Sequence, residues 1–442
     1  MRLNYKQTVL IGFAFLSISA FWQMYDNLIP LILTNTFDIN ETVSGFIMAA
    51  DNILALFLLP LFGGISDRSH FKIGRRKPFI IFGTAVSVIL MMGLPILDNS
   101  YFAAPAGWKL AGFIVILGLL LISMGTYRSP AVALMPDVTP KPLRSKGNAV
   151  INLMGAVGGI LYLLANSFLY SKSRTEGLEH INYQPIFIVV AVIMISALLV
   201  LLLFIDEPRL SRIQSDYERE HPSQEVIMAE KSGKIPAAVR KSLIFLLLSV
   251  AFWYIGYNAI TTWFSVYATT VWDMAPGEAS LCLTIATAGA IVSYIPVGSI
   301  AGRIGRKRTI LFGAGLLAFC FFTAFVYTVI FNHFHTALYA LFVLVGIAWA
   351  AINVNSLPMV VEMCSGADIG KFTGFYYTFS MAAQTVTPIA AGFLLSNVSY
   401  KTLFPYAAAF VTLSFITMCF VKHGDSKPDK NISMLESFDT DG

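Results

Sequence analysis

The chain has little charge and few cysteines. Only 12% of its 442 residues are Asp, Glu, Lys or Arg, whereas 56% are hydrophobic. A soluble domain carries roughly 25% charged residues, so this composition excludes an ordinary water-soluble protein. The four cysteines lie in apolar runs or at their ends and imply no disulfide framework. The net charge of +5 lies almost entirely in one set of loops, and we expect no nucleic-acid partner.

Several chemical motifs are also missing. The sequence contains no G-x-x-x-x-G-K-[ST] loop, which argues against ATP-driven pumping. All six histidines fall in loops or tails, and no nucleophile or metal-ligand pattern occurs. We therefore expect no enzyme, no metal and no cofactor. A membrane sensor would need a folded output domain, which the polar segment 206–241 is too short to supply.

Long apolar runs dominate what remains. Windows of about 20 apolar residues predict twelve membrane-spanning helices, near 8–33, 43–65, 78–97, 109–135, 147–170, 184–205, 242–270, 280–302, 309–331, 336–361, 370–396 and 401–421. The first run follows Arg2 and Lys6 and lacks a cleavage site, so it is interpreted as a retained helix. The fold class is an all-α membrane protein.

The basic residues fix the expected orientation. Of the 30 Lys and Arg residues, 25 fall in the termini, the 206–241 segment and alternate loops. The opposite loops hold only four, which are Lys109, Lys172, Arg174 and Lys401. By the positive-inside rule both termini are cytoplasmic. We expect a six-helix bundle over 1–205, a linker over 206–241, a second bundle over 242–422 and a disordered tail over 423–442.

A charged helix–turn–helix junction occurs twice. The first copy runs from Gly63 to Pro78, and the shorter second copy runs from Gly298 to Arg308. A second match involves Asp137 and Glu362, which end helices four and ten and lie 225 residues apart. Lys146 and Lys371 are separated by the same number of residues. Repeated junctions indicate two related bundles, as in secondary transporters. We assign conformational gating to Gly63, Asp67, Arg68, Gly74, Arg75, Arg76, Asp137, Arg303 and Glu362.

Asp67 is the acidic member of the first junction, and its counterpart is Gly302. A carboxylate there can pair with basic residues or cap a neighbouring helix. It is predicted to latch the halves in one state and release them in another. The plain alternative is a loop that only obeys the positive-inside rule.

Three ionisable residues lie deep in predicted helices: Asp26, Asp51 and Arg128. Each costs about 2.5–3.5 kcal/mol near a helix centre, so each needs a partner, water or a function. Ser19, Gln23 and Asp26 share one face of helix one, and Asn52 adjoins Asp51. The second half offers the amides of Asn258, Asn355 and Gln384. We predict that these groups bind a polyhydroxylated ligand, with Asp26 and Asp51 as proton carriers; an ion pair that only joins helices is the alternative.

Two stretches carry a family resemblance. Ser66-Asp67-Arg68, five residues and then Gly74-Arg75-Arg76-Lys77-Pro78 resemble the junction of the major facilitator superfamily. This form of the junction is similar to the one in plant sucrose transporters. Those transporters are close to the glycoside–pentoside–hexuronide cation symporters. The run from Pro130 to Asp137 resembles their Gly-Pro-x-Arg-Ala-Leu-x-x-Asp pattern. Val132 replaces the family arginine and Ser129 the glycine, while Arg128 lies about one turn (roughly 6 Å) deeper.

The resemblance implies proton-coupled uptake of a sugar, such as a disaccharide or another glycoside, by alternating access. Sodium coupling stays open, and so does the identity of the sugar. The alternative is a proton-coupled antiporter that exports a small amphipathic compound. Sequons at Asn40 and Asn397 matter only in a secretory pathway. The short loops favour a bacterial cytoplasmic membrane, in which we expect a monomer surrounded by lipid.

Overall fold

The computed structural model describes residues 4–139, 144–220, 237–331, 333–363 and 369–425. In these ranges the secondary structure consists of helices joined by turns and loops. The helices are α1 Tyr5–Asn35, α2 Glu41–Asp67, α3 Lys77–Ala103, α4 Gly107–Val138, α5 Arg144–Leu169, α6 Lys172–Thr175, α7 Gln184–Phe204, α8 Glu207–Glu220, α9 Ala237–Val271, α10 Pro276–Ile304, α11 Arg306–Ile330, α12 Leu338–Val361, α13 Ile369–Asn397 and α14 Leu403–Cys419. A 3-10 turn, Tyr400–Thr402, precedes α14.

Twelve helices in the described ranges are long and apolar enough to cross a membrane, which confirms the predicted number. Local sequence sets several of their ends. The side chain of Asn40 accepts a hydrogen bond from the backbone N–H of Val43, at 2.9 Å, and so caps α2. Pro78 occupies the first turn of α3, where a missing N–H costs nothing. Gly305 separates α10 from α11 with a φ of 100°, a conformation that favours glycine.

The helix pairings of the first half recur in the second. In the first half α1 packs on α5, α2 on α4, α3 on α4, and α7 on both α1 and α3. The corresponding pairs of the second half are α9 with α13, α10 with α12, α11 with α12, and α14 with both α9 and α11. Two bundles with the same internal packing are the pattern expected of an internal repeat.

The two halves meet along three helix pairs: α1 with α9, α2 with α13, and α5 with α10. We call the end of the bundle with residues 68–76 the basic end and the opposite end the far end. Hydrogen bonds join the halves at the far end. They link Ser265 to Asn27 at 2.8 Å, Thr42 to Ser396 at 2.6 Å, Asn166 to Ser280 at 2.6 Å, and Tyr400 to Glu41. The far end is therefore closed in this conformation.

The predicted linker 206–241 contains α8 and the start of α9. Residues 221–236 and the tail residues 426–442 lie outside the described part, as do the side chains of Lys146 and Lys371. The expected boundaries of the bundles, linker and tail stay predictions.

Candidate functional site

A cavity of about 330 Å³ lies against α1 and α4. Its lining consists of Phe15, Ile18, Ser19, Trp22, Gln23, Asp26, Arg128 and Val132. Phe15 and Val132 lie on the basic-end side of Asp26, and Val132 is exposed. The cavity therefore reaches from the middle of the bundle towards the basic end.

One face of α1 supplies the polar wall of this cavity. Ser19, Gln23 and Asp26 are spaced by four and three residues, which places them on one side of a helix. Arg128 approaches from α4, and its guanidinium carbon lies 5.3 Å from the centre of the Trp22 ring. A cation over an aromatic face gains roughly 0.5–2 kcal/mol, so Trp22 holds the guanidinium beside the cavity.

Asp51 is absent from the lining of this cavity. It lines a smaller neighbouring pocket together with Trp22, Arg128 and apolar residues of α2 and α4. The side chain of Asn52 donates a hydrogen bond to the Asp51 carboxylate at 2.8 Å. Arg128 interacts electrostatically with both Asp51 and Asp26. Arg128 thus borders both the cavity that contains Asp26 and the pocket that contains Asp51.

Within the part of the chain that the structure describes, no nitrogen of Arg128 lies within 4.0 Å of either carboxylate.

The three predicted amides of the second half occupy different surroundings. Asn355 is buried, and its side chain donates to the carbonyl of Ala351 on its own helix, at 3.0 Å. Gln384 is half-buried and donates to the carbonyl of Ser380 at 3.3 Å. The Asn258 amide nitrogen is buried and has no hydrogen-bond partner among the described residues. These three residues do not line the cavity on α1 and α4.

An aromatic cluster in the second half lies among residues that the sequence analysis did not assign to the site. Tyr257 stacks on Trp349, with ring centres 3.8 Å apart and planes 6° from parallel. Tyr254 lies edge-on to Trp349 at 5.6 Å, and Ser356 bonds the Tyr376 hydroxyl at 2.9 Å. No charge marks these residues in the sequence, and aromatic residues in membrane helices usually serve packing.

The gating residues of the first junction form one network at the basic end. Arg76 is only 4% exposed; it pairs with Asp67 and, through Nε at 2.7 Å, with Asp137. Arg75 contacts the other Asp137 oxygen at 2.7 Å. Burial alone would lower the pKa of Arg76, but the bonds and charges of Asp137 and Asp67 outweigh burial and raise this pKa. Asp67 thus pairs within its own half in this conformation.

Two acidic residues that the sequence did not single out cap helices at the basic end. The Glu207 carboxylate accepts the backbone N–H groups of Arg76, at 2.8 Å, and Lys77, at 3.0 Å. Asp425 accepts the backbone N–H of Arg306 at 2.6 Å. Carboxylates at helix N-termini satisfy free N–H groups and interact favourably with the helix dipole. Glu207 follows the last span of the first half as Asp425 follows that of the second.

The remaining gating residues lie around this network. In the second half Arg306 pairs with Glu362, as Arg75 and Arg76 pair with Asp137. Arg68 and Arg303 are exposed. Gly63 supplies a carbonyl to Arg76 at 3.4 Å. Gly74 has a φ of 115° and no room for a side chain beside Glu207.

Replacing Arg76 with methionine is expected to destabilise the protein by about 1.5–3 kcal/mol, since the half-buried Asp137 carboxylate loses its buried partner and keeps only the more exposed Arg75. The matched change is Arg75→Met, because Arg75 also contacts Asp137 but is 41% exposed; its cost should be about 1 kcal/mol or less. Thermal unfolding of the purified variants in detergent measures both. Equal losses for the two variants would contradict the buried role of Arg76.

Comparison with known proteins identifies the family of this chain. The model of the Major Facilitator Superfamily matches residues 11–275 and 269–438. The chain belongs to the Major Facilitator Superfamily. It is accordingly a multi-pass membrane transporter and not an enzyme.

The similarity to individual members of the superfamily covers only part of this chain. The sucrose transport protein SUC3 of Arabidopsis thaliana is 32% identical over 138 residues, which cover 28% of this chain and 23% of that protein. The chloramphenicol resistance protein CraA of Acinetobacter baumannii is 30% identical over 196 residues, or 42% of this chain and 44% of that protein. The matches span less than half the length of these relatives.

Among solved structures, the inward-open xylose transporter XylE from E. coli superposes with a TM-score of 0.68 at 15% identity. The superposition covers 96% of this chain and 97% of XylE. At this identity the likeness shows the shared fold alone.

Proposed function

We propose that this superfamily member is a proton-coupled symporter of a sugar. The observation that carries the proposal is the composition of one cavity wall. Ser19, Gln23, Asp26 and Arg128 offer hydrogen-bond donors and acceptors there, beside the Trp22 ring. A sugar presents many hydroxyl groups and an apolar ring face, and this wall provides partners for both. The similarity to sucrose transport protein SUC3 supports the same class of substrate.

The size of the cavity agrees with a small molecule. Ligand sites generally occupy about 300–1,000 Å³, and this cavity measures about 330 Å³. We propose that the basic end is cytoplasmic, since it carries the basic loops. The conformation is then closed towards the outside, with the cavity extending towards the cytoplasm.

We assign proton binding to Asp26, because it shares the cavity with Gln23 and Arg128. Asp51 serves as the fixed counter-charge of Arg128, since it is hydrogen-bonded to Asn52 in its own pocket. While Asp26 is protonated, Arg128 is free to bind sugar hydroxyls. When Asp26 releases its proton, its charge attracts the guanidinium and weakens the hold on the sugar.

Uptake of ¹⁴C-sucrose and ¹⁴C-maltose into proteoliposomes tests the proposal. We expect an imposed acid-outside gradient to drive at least one of these sugars above its external concentration. A proton ionophore should abolish that accumulation. Uptake of both sugars that ignores the pH gradient and responds to sodium instead would replace the proton by a sodium ion; no uptake at all would overturn symport of these sugars.

Export of an amphipathic compound is the second candidate, favoured by the similarity to CraA. The proton that drives export would then bind the same carboxylate. Expression in a chloramphenicol-sensitive bacterial strain separates the two functions. Raised resistance that disappears in Asp26→Asn, together with no sugar uptake, would favour the exporter.

A further inference from the structure

Arg128 depends on the backbone of α4 for its place in the cavity wall. Neither Asp26 nor Asp51 has an oxygen within 4.0 Å of its nitrogens in the described part of the chain. The guanidinium lies over the Trp22 ring, at 5.3 Å from the ring centre. An arginine side chain has several rotatable bonds, so this contact holds the guanidinium only if α4 keeps residue 128 in place.

The turn of α4 that carries Arg128 contains a proline. Pro130 lies inside α4 and has no backbone N–H. The hydrogen bond that would run from this residue to the carbonyl of Thr126 is therefore missing, and helices bend most easily at such points. Contacts with other helices are needed to fix this turn.

Tyr127 precedes the arginine and joins α4 to α1. Its hydroxyl donates to the carbonyl of Ala14 at 3.0 Å and forms a second hydrogen bond with the hydroxyl of Ser17. Both side chains of this pair are buried. On α3, a Cβ at Gly83 would lie 2.7 Å from the Cβ of Tyr127, so the α3 backbone packs closely against this residue. Tyr127 is thus held by contacts with both α1 and α3.

Ser129 follows the arginine in the chain and joins α4 to α2. Its hydroxyl donates to the carbonyl of Leu59 at 2.8 Å. A Cβ at Gly63, one turn further along α2, would lie 2.9 Å from the Ser129 Oγ, so glycine leaves this hydroxyl the space it occupies. One turn earlier on α4, a Cβ at Gly125 would lie 3.1 Å from the side chain of Leu58. This face of α4 therefore packs on α2 over a full turn.

These two hydrogen bonds determine the direction in which Arg128 leaves the helix. Successive residues of an α-helix are roughly 100° apart, so Arg128 points about midway between Tyr127, which faces α1, and Ser129, which faces α2. The guanidinium accordingly reaches Trp22 on α1 and also lines the pocket of Asp51 on α2.

We infer that Tyr127 and Ser129 are positioning residues, which hold the Arg128 guanidinium at the cavity wall for sugar binding. The inference rests on the proposed function, and it adds to the site two residues that do not line the cavity. Without either hydrogen bond the weakened turn can shift, and a shift of about 1 Å exceeds the range of lengths that a hydrogen bond tolerates. Both bonds join helices of the first half, so their loss should affect sugar binding more than the movement of the halves.

The test measures KM and the maximal rate of uptake in proteoliposomes for ¹⁴C-sucrose and ¹⁴C-maltose. Tyr127→Phe and Ser129→Ala should each raise KM by about 2- to 12-fold, the factor that corresponds to one lost hydrogen bond between neutral groups. The maximal rate should stay near the wild-type value, since these variants weaken binding of the sugar without changing later steps.

The matched controls are Tyr267→Phe and Ser123→Ala. Each removes a buried hydroxyl that bonds another helix, with Tyr267 donating to Thr328 at 2.7 Å and Ser123 donating to the carbonyl of Gly83 at 3.0 Å. Neither residue adjoins Arg128 in the chain, so both variants should keep the wild-type KM. An increase in the controls as large as in the test variants would overturn the inference.

Gly63→Ala tests the contact with α2 without changing Ser129 itself. The added methyl group would push the Ser129 hydroxyl away from the carbonyl of Leu59, so KM should rise as it does in Ser129→Ala. Gly64→Ala is the control, because a Cβ there would meet no atom of another described helix within 4 Å.

A double-mutant cycle separates positioning from a general structural role. When Arg128→Gln is already present, Tyr127→Phe and Ser129→Ala should change KM by less than about 2-fold, because the group that they position is gone. A full further increase in that background would overturn the inference, as would an unchanged KM in both variants with Arg128 present. In either case wild-type uptake leaves the symporter standing. If the wild type takes up neither sugar, the symporter and this assignment fail together.

Discussion

An Asp26→Asn variant is expected to lose accumulation of sugar while it still exchanges labelled for unlabelled sugar. Asparagine keeps the size and polarity of the side chain but cannot carry a proton. A potential of 100 mV supplies about 2.3 kcal/mol per charge, which supports roughly 50-fold accumulation for each proton. Without the proton the ratio should fall to about 1. Sugar inside and outside energised proteoliposomes, measured at steady state, gives this ratio directly.

Two companion variants keep the interpretation specific. Asp26→Glu retains a titratable group and should accumulate sugar, though more slowly. Asp51→Asn should weaken sugar binding by about 5- to 150-fold, a coupling of about 1–3 kcal/mol, because Arg128 loses its fixed counter-charge. Its accumulation ratio at saturating sugar should stay close to the wild-type value. If instead Asp51→Asn loses accumulation and Asp26→Asn keeps it, the two assignments must be exchanged.

The fold was predictable from the sequence because membrane helices need long apolar segments. The twelve apolar runs correspond to the twelve helices, with ends that differ by several residues. Such errors matter near a helix end. Asp98 was one residue beyond the predicted limit of helix three, yet α3 continues to Ala103 and buries it. A short error in a boundary therefore concealed a buried carboxyl group.

The candidate site was predictable only where charge marks it. Asp26 and Arg128 were conspicuous in apolar helices, and both line one cavity. Trp349 could not be recognised, because an aromatic residue that stacks on another and one that only packs look alike in the sequence. Glu207 and Asp425 were equally hidden, since they lie among other charges and act only through the helix ends that the fold brings to them. Long-range pairing of this kind leaves no local pattern.

A leucine in place of Gly45 is expected to prevent closure of the far end and to stop transport. Gly45 lies on α2 where α13 crosses it, and a Cβ there would collide with the backbone carbonyl of Pro388. A backbone atom cannot move aside, so α2 and α13 must separate. Overpacking costs about 1–3 kcal/mol, which shifts the balance between far-closed and far-open states by about 5- to 150-fold.

Gly64→Leu is the matched control, because Gly64 lies on the same helix and a Cβ there would meet no atom of another described helix within 4 Å. Accessibility of Ser265→Cys, in a chain without its four native cysteines, reports the state of the far end. Ser265 is buried against Asn27 when the far end is closed. A membrane-impermeant maleimide added on the far side should label this cysteine quickly with Gly45→Leu and slowly with Gly64→Leu. Wild-type transport by Gly45→Leu would mean that the close contact between α2 and α13 is not required in the transport cycle.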